Sequence, residues 1–378
     1  MNPLLELSKL GQSVWLDNIS RGLLNSGELK RLADEDGISG VTSNPTIFEK
    51  AISHGSDYDG AMRELIHRGA SDADIYDALT IADIQSATDV LRPVFDATHG
   101  DDGYVSIEVS PKLAHDTEGT IADARRLHAA VNRPNLLVKV PATREGLPAI
   151  RQLLGEGVNV NVTLMFSMEH YEAVAEAYIA ALEDRVRQGL PISDAASVAS
   201  FFVSRVDTLV DQLLEEKMRG VGPGAAKAAA LRGKIAVANS KLVYRRFQEI
   251  FGGARFKALA EKGARVQRVL WASTSTKNPA YNDVLYVETL IGPNTVNTMP
   301  DETIVAFRDH GQAAVTVGDG LDEARAAFQS LAELGVDMCA VGERLSAEGV
   351  DKFAQSFDKL FGVIADKRQK LADVVNRP

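Results

Sequence analysis

Short runs rich in β-branched and aromatic residues alternate with longer stretches of helical periodicity. The runs fall at 14–18, 40–44, 104–110, 136–142, 158–165, 197–204, 268–274 and 296–299, and each ends in polar residues. Between them the 3.6-residue pattern predicts helices over 57–98 (two or more), 119–132, 144–155, 169–189, 205–251, 281–290 and 301–310. Strand and helix repeated eight times predict a parallel sheet closed into a (β/α)8 TIM barrel of the α/β class. Gly220-Val221-Gly222-Pro223-Gly224 interrupts the stretch after the sixth strand, so a helical insertion is expected at about 215–262. Further periodicity over 321–334 and 352–375, with no Pro/Ser-rich linker before it, predicts additional helices at about 320–378 packed on the barrel, and a single domain over 1–378.

Within the strands the polar residues keep to one parity. Asn159, Asn161 and Thr163 alternate with valines, Ser106 and Glu108 alternate with Val105, Ile107 and Val109, and Asp17 shares a face with Trp15. Barrel strands point alternate side chains into the lumen, which branched apolar layers normally fill. Asp17, Glu108, Lys139, Asn161 and Thr163 are costly to bury there unless they pair or react, and they form a candidate lumenal site.

Lys139 lies in the apolar run Leu136-Leu137-Val138-Lys139-Val140-Pro141. Little solvent is left there for an ammonium, and desolvation favours the neutral amine that attacks carbonyls. Taken alone, a salt-bridged or outward-snorkelling lysine is the commoner case. Two nearby carboxylates change the balance: Asp17 and Glu108 supply proton donors and acceptors, and one neutralising partner accounts for only one of them. Asn44 and Asn161 have amides suited to hydroxyl groups, and Thr163 has a hydroxyl suited to holding a water, although each also serves as an ordinary cap or strand end. Arg205 after the sixth strand, with Ser273, Ser275 and Lys277 after the seventh, offers an anion site where barrels commonly bind phosphate. A salt bridge from Arg205 to a neighbour such as Asp207 is an equal alternative.

Composition narrows the partners. Forty-one basic and 52 acidic side chains give a net charge of −11, which disfavours nucleic acid and requires a local basic pocket for a small anionic substrate. Cys339 is the sole cysteine, so no intrachain disulfide forms and a cytoplasmic setting is expected. No run reaches the roughly 18 apolar residues of a membrane span, and the first fifteen residues lack signal-peptide character. The seven histidines form no ligand motif and no glycine-rich nucleotide loop is present, so neither metal nor cofactor is expected.

Gly40-Val41-Thr42-Ser43-Asn44-Pro45-Thr46-Ile47-Phe48 and Leu137 to Gly146 resemble the two signatures of the transaldolases, and the segments at 105–109 and 157–167 are similar to that family in the same order. The resemblance covers roughly residues 10–310. It implies that Lys139 forms a Schiff base, that Glu108 acts as acid/base through a water shared with Thr163, and that Asp17 transfers a proton at carbon–carbon cleavage. Asn44 and Asn161 would position a dihydroxyacetone unit, with Ser200, Phe202 and Arg205 at the sixth-strand positions and Arg205 on the phosphate. After the seventh strand the shorter transaldolases carry an arginine two positions beyond a serine, whereas this chain has Lys277. That difference and the longer stretch between strands six and seven resemble the long bacterial form. The implied partners are sugar phosphates, with monomer and homodimer both open. A free aldolase and a non-catalytic sugar-phosphate-binding barrel are the competing readings.

Overall fold

The computed structural model describes residues 2–219 and 222–375; Gly220 and Val221 of the glycine break, and the last three residues of the expected C-terminal helix, lie outside the described residues. Eight parallel strands close in chain order into one barrel: β1 (Gln12–Leu16), β2 (Ile38–Val41), β3 (Tyr104–Glu108), β4 (Leu136–Pro141), β5 (Val160–Met165), β6 (Ser197–Phe202), β7 (Arg268–Ala272) and β8 (Thr295–Met299). Val105, Ile107, Val138, Val140, Val160 and Val162 are all buried and occupy the outward parity beneath the helices. The other parity lines the lumen. Register pairs Glu108 with Lys139 and Lys139 with Asn161, so three polar side chains on adjacent strands stand at one level.

Toward the amino-terminal end of the strands the lumen is filled by Trp15 and Tyr104, whose rings lie 6.4 Å apart, and the indole donates to Asp102 Oδ1 at 2.7 Å. Gly40 leaves room for that indole: a Cβ there would sit 2.4 Å from its ring atoms. With this end plugged, a ligand can enter only from the carboxyl ends of the strands.

Several helices differ from the expected pattern. The stretch 205–251 divides into Ser204–Met218, Pro223–Leu231 and Ile235–Phe251, followed by Ala254–Ala260. Gly233, at φ +67°, makes the second break, and its amide donates to Asp211. The helix expected at 281–290 shrinks to Leu285–Glu288, because Pro279 and the asparagine-rich loop before it favour turns. Pro45–Ser53 is an additional helix with Asn44 as its N-cap and proline at its first turn. The last helix begins at Met338, not at residue 352, and runs to Val375. Gly342 and Gly349 weaken its helix propensity but let it approach the barrel closely. A Cβ at Gly342 would lie 2.7 Å from Ser167, and one at Gly349 would lie 2.8 Å from Leu164. Leu164 itself takes a left-handed φ of +63°, where β5 loses regular register with β6, a strained conformation directly after Thr163.

Candidate active site

A pocket of about 570 Å³ opens at the carboxyl ends of the strands. Lys139 stands in its wall, 5% exposed. Its Nζ donates to the Ser43 carbonyl at 2.9 Å and lies 3.4 Å from Glu108 Oε2. The amine therefore points into the lumen and is held by one backbone acceptor and one carboxylate, which excludes the outward-snorkelling alternative. Phe353 of the C-terminal helix lies over it, with the ring centre 6.0 Å from Nζ.

The two acids are set apart by their surroundings. Glu108 is buried, and loss of solvation raises its carboxyl above the usual range despite the attraction of Lys139. Asp17 keeps partial exposure, yet it sits far enough into the mouth that desolvation again raises it and outweighs the opposing pull of Lys139. Thr42 donates to Asp17 Oδ1 at 2.7 Å and lies 2.6 Å from Thr298, a short hydroxyl chain that fixes the Asp17 carboxylate.

Asn161 is locked on both sides of its amide. Its Nδ2 donates to Ser106 at 3.0 Å, and its Oδ1 accepts from Ser200 at 2.7 Å. Asn44 commits its Oδ1 to the Ile47 amide as a helix cap, which leaves its NH2 free at the pocket wall. Thr163 lines the pocket as well, and its buried hydroxyl has no hydrogen-bond partner.

Arg205 occupies the far side. No ion pair to Asp207 forms, because Asp207 is turned to the Ala236 amide and the Tyr286 hydroxyl. The guanidinium instead lies against the rings of Phe202 at 5.2 Å and Phe353 at 5.9 Å, and its buried Nη1 has no acceptor. Desolvation pulls its pKa below the usual arginine value, so an anion supplied from the pocket would satisfy it. Ser273, Ser275 and Lys277 line the same pocket. Ser273 adopts φ +56° and meets Ser204 through its hydroxyl, and exposed Lys277 donates to Ser275. The expected basic pocket is present as Lys50, Lys139, Arg205 and Lys277, although Asp17, Asp301 and Glu302 share its walls.

Of the residues singled out in the sequence, Asp17, Asn44, Lys139, Thr163, Ser200, Arg205, Ser273, Ser275 and Lys277 line this pocket at one end of the barrel, and Asn161 is bonded to Ser200 beneath it. Glu108 lies behind the pocket wall and meets it at Lys139. Sequence reasoning passed over Thr42, Thr298 and above all Phe353. Its signal was the seven-residue spacing of Gly342 and Gly349, two small residues on one helix face that allow close packing. Among the described residues no cluster of three His, Cys, Asp or Glu is arranged to hold a metal ion, and no helix is long and apolar enough to cross a membrane.

Comparison with known proteins matches residues 14–364 to the Transaldolase/Fructose-6-phosphate aldolase family, a span that extends well into the C-terminal helix. A protein of Trichodesmium erythraeum named transaldolase is 47% identical over 99% of both chains. One of Thermobifida fusca with the same name is 50% identical over 97% of this chain and 98% of its own, and one of Thiobacillus denitrificans is 49% identical over 96% and 100%. A full ring of eight parallel strands, a buried lysine paired with one carboxylate while a second lines the same open end, and near-complete coverage of these relatives agree: the chain belongs to the transaldolase/fructose-6-phosphate aldolase family.

Proposed function

We propose that this chain is a transaldolase that carries a dihydroxyacetone unit between sugar phosphates as an imine on Lys139. The observation that carries the reading is the lumenal Lys139 amine, 3.4 Å from one buried carboxylate and in the same mouth as a second. Fructose 6-phosphate would enter with its phosphate toward Arg205, Ser273 and Lys277 and its carbonyl toward Nζ. Asn44, through its free NH2, and Asn161, held in place by Ser106 and Ser200, orient the hydroxyls beside the carbonyl.

Imine formation requires that the carbonyl oxygen leave as water, and a positioned acid assists that step. Glu108 fills this role through a water that Thr163 also holds; the reading is supported by Thr163 Oγ1, which has no hydrogen-bond partner, and by Glu108 Oε2, which meets the Lys139 amine at 3.4 Å as an ion pair but accepts no close hydrogen bond. Asp17 takes the proton of the hydroxyl next to the breaking carbon–carbon bond, glyceraldehyde 3-phosphate departs, and the enamine left on Lys139 awaits erythrose 4-phosphate. Addition and hydrolysis then release sedoheptulose 7-phosphate. This chemistry suits the cytoplasm and either a monomer or a homodimer.

Borohydride added with fructose 6-phosphate should fix a three-carbon mass on the peptide containing Lys139. An unmodified Lys139, or labelling of another lysine, would overturn the assignment. Product formation that requires erythrose 4-phosphate separates group transfer from release of free dihydroxyacetone.

A further inference from the structure

Glu108 borders a second cavity, distinct from the sugar pocket. The space holds about 170 Å³, and its polar wall is formed by Glu108, Ser110, Asp77, Asp123 and Arg126. The opposite wall is aromatic: Tyr76 meets Phe357 and Phe361 at 5.4 Å each, and those two rings lie 4.9 Å apart. Lys139 lines the sugar pocket but not this cavity, whereas Glu108 lines this cavity but not the sugar pocket. The 3.4 Å contact between them is the partition between the two spaces.

A water needs roughly 10–15 Å³ of such volume and a few polar partners, so this cavity accommodates several. Its lining carries three carboxylates, a guanidinium and a serine, and a space of that polarity is wet. The sugar pocket is the space a ketose phosphate would take between Lys139 and Arg205, with Phe353 overhead, whereas the side cavity meets Glu108 without passing through that space.

We propose that the side cavity is the passage by which water and protons reach and leave the imine, with Glu108 as its inner gate. The inference rests on the imine reading above. In the balance, a neutral amine, a ketone and one proton give the protonated imine and one water. The new bond joins Nζ to the ketose carbonyl carbon, the carbon–oxygen bond breaks, and the oxygen leaves as that water. Hydrolysis returns one water and releases one proton. Glu108 hands on the proton and is recharged from the cavity, so each turnover expels one water through it and admits another.

The test fills the cavity from two sides, with Ser110→Leu and with Ala73→Trp at its exposed rim. Exchange of the ketose carbonyl oxygen of fructose 6-phosphate with 18O-water is followed by mass spectrometry, beside borohydride trapping at equilibrium. Both variants should slow exchange and kcat by up to about 10²-fold, the lower end of what a positioned acid contributes, while leaving the equilibrium fraction of trapped Lys139 unchanged, since a passage alters the rate in both directions alike. Folded variants that exchange oxygen at the wild-type rate would overturn the passage, as would an equal loss of trapped imine, which marks distortion of the site. If Lys139 of the unmodified chain takes no label, the imine reading falls and the passage with it; label without any response to the two substitutions removes the passage alone.

Discussion

Arg205 carries its charge against two aromatic rings with one nitrogen unbonded, an arrangement that stabilises the protein little and favours an incoming anion strongly. Arg205→Ala should raise the KM for a phosphorylated donor roughly 10- to 100-fold, the value of a charge-assisted hydrogen bond. Free dihydroxyacetone as donor should be nearly indifferent; an equal loss with both donors would remove the phosphate role. Glu108→Gln should lower kcat by roughly 10²- to 10⁴-fold, the usual share of a positioned acid, and stopped-flow turnover measures it. Burial holds both Asp17 and Glu108 above ordinary carboxylates, so a base that must be ionised is lost as pH falls through a raised value. The acid limb of kcat therefore lies above the usual aspartate range and should move in Asp17→Asn. These residues were legible in the sequence because lysine, acids and amides on the lumenal parity of apolar strands are expensive without a task. What could not be read was partnership: nothing in the sequence around Asn44 or Asn161 states that one amide caps a helix while the other is pinned between two serines.

The C-terminal helix is the element that completes the site, and two glycines set its depth. Gly349→Val would drive a side chain into Leu164, already strained at φ +63°, and toward Arg205 Nη1, 3.7 Å from the position of a Cβ. Overpacking of this kind costs roughly 1–3 kcal/mol, readable in denaturant unfolding, and displacement of Phe353 with the helix should lower kcat/KM in parallel. Wild-type activity in a destabilised Gly349→Val would show that the helix does not shape the pocket. Helix propensity concealed this element, since the same glycines that permit close packing argue locally against a helix before residue 352. The helix Pro45–Ser53 was concealed differently. Asn44-Pro45 is a sound start signal, but the segment that follows is short and begins inside the stretch 40–48 that resembles the family signature.

At the scale of the whole molecule the barrel was the most legible feature, because eight repeats of one unit leave few other closures and strand alternation fixes which face is the lumen. The insertion after β6 was less so, since its internal break depends on distant acceptors. Asp207 and Asp211 reach across from the helix Ser204–Met218 to the amides of Ala236 and Gly233 and to the hydroxyls of Tyr286 and Tyr281. Burial pushes Asp207 up to about 6 from 3.8, so between those values the folded chain keeps a proton that the unfolded chain has released. Stability is therefore greatest at the acid end of this window and declines as pH rises through it, by on the order of 3 kcal/mol. Asp207→Asn should flatten that decline in urea unfolding between about pH 4 and 7, and an unchanged slope would assign it to other groups. Finally, Phe353 lies far downstream of β8 in the chain. A ribosome thus delivers every strand before the ring that covers Lys139, so a nascent barrel can close while its reactive amine still lacks that cover, until the middle turns of the final helix dock.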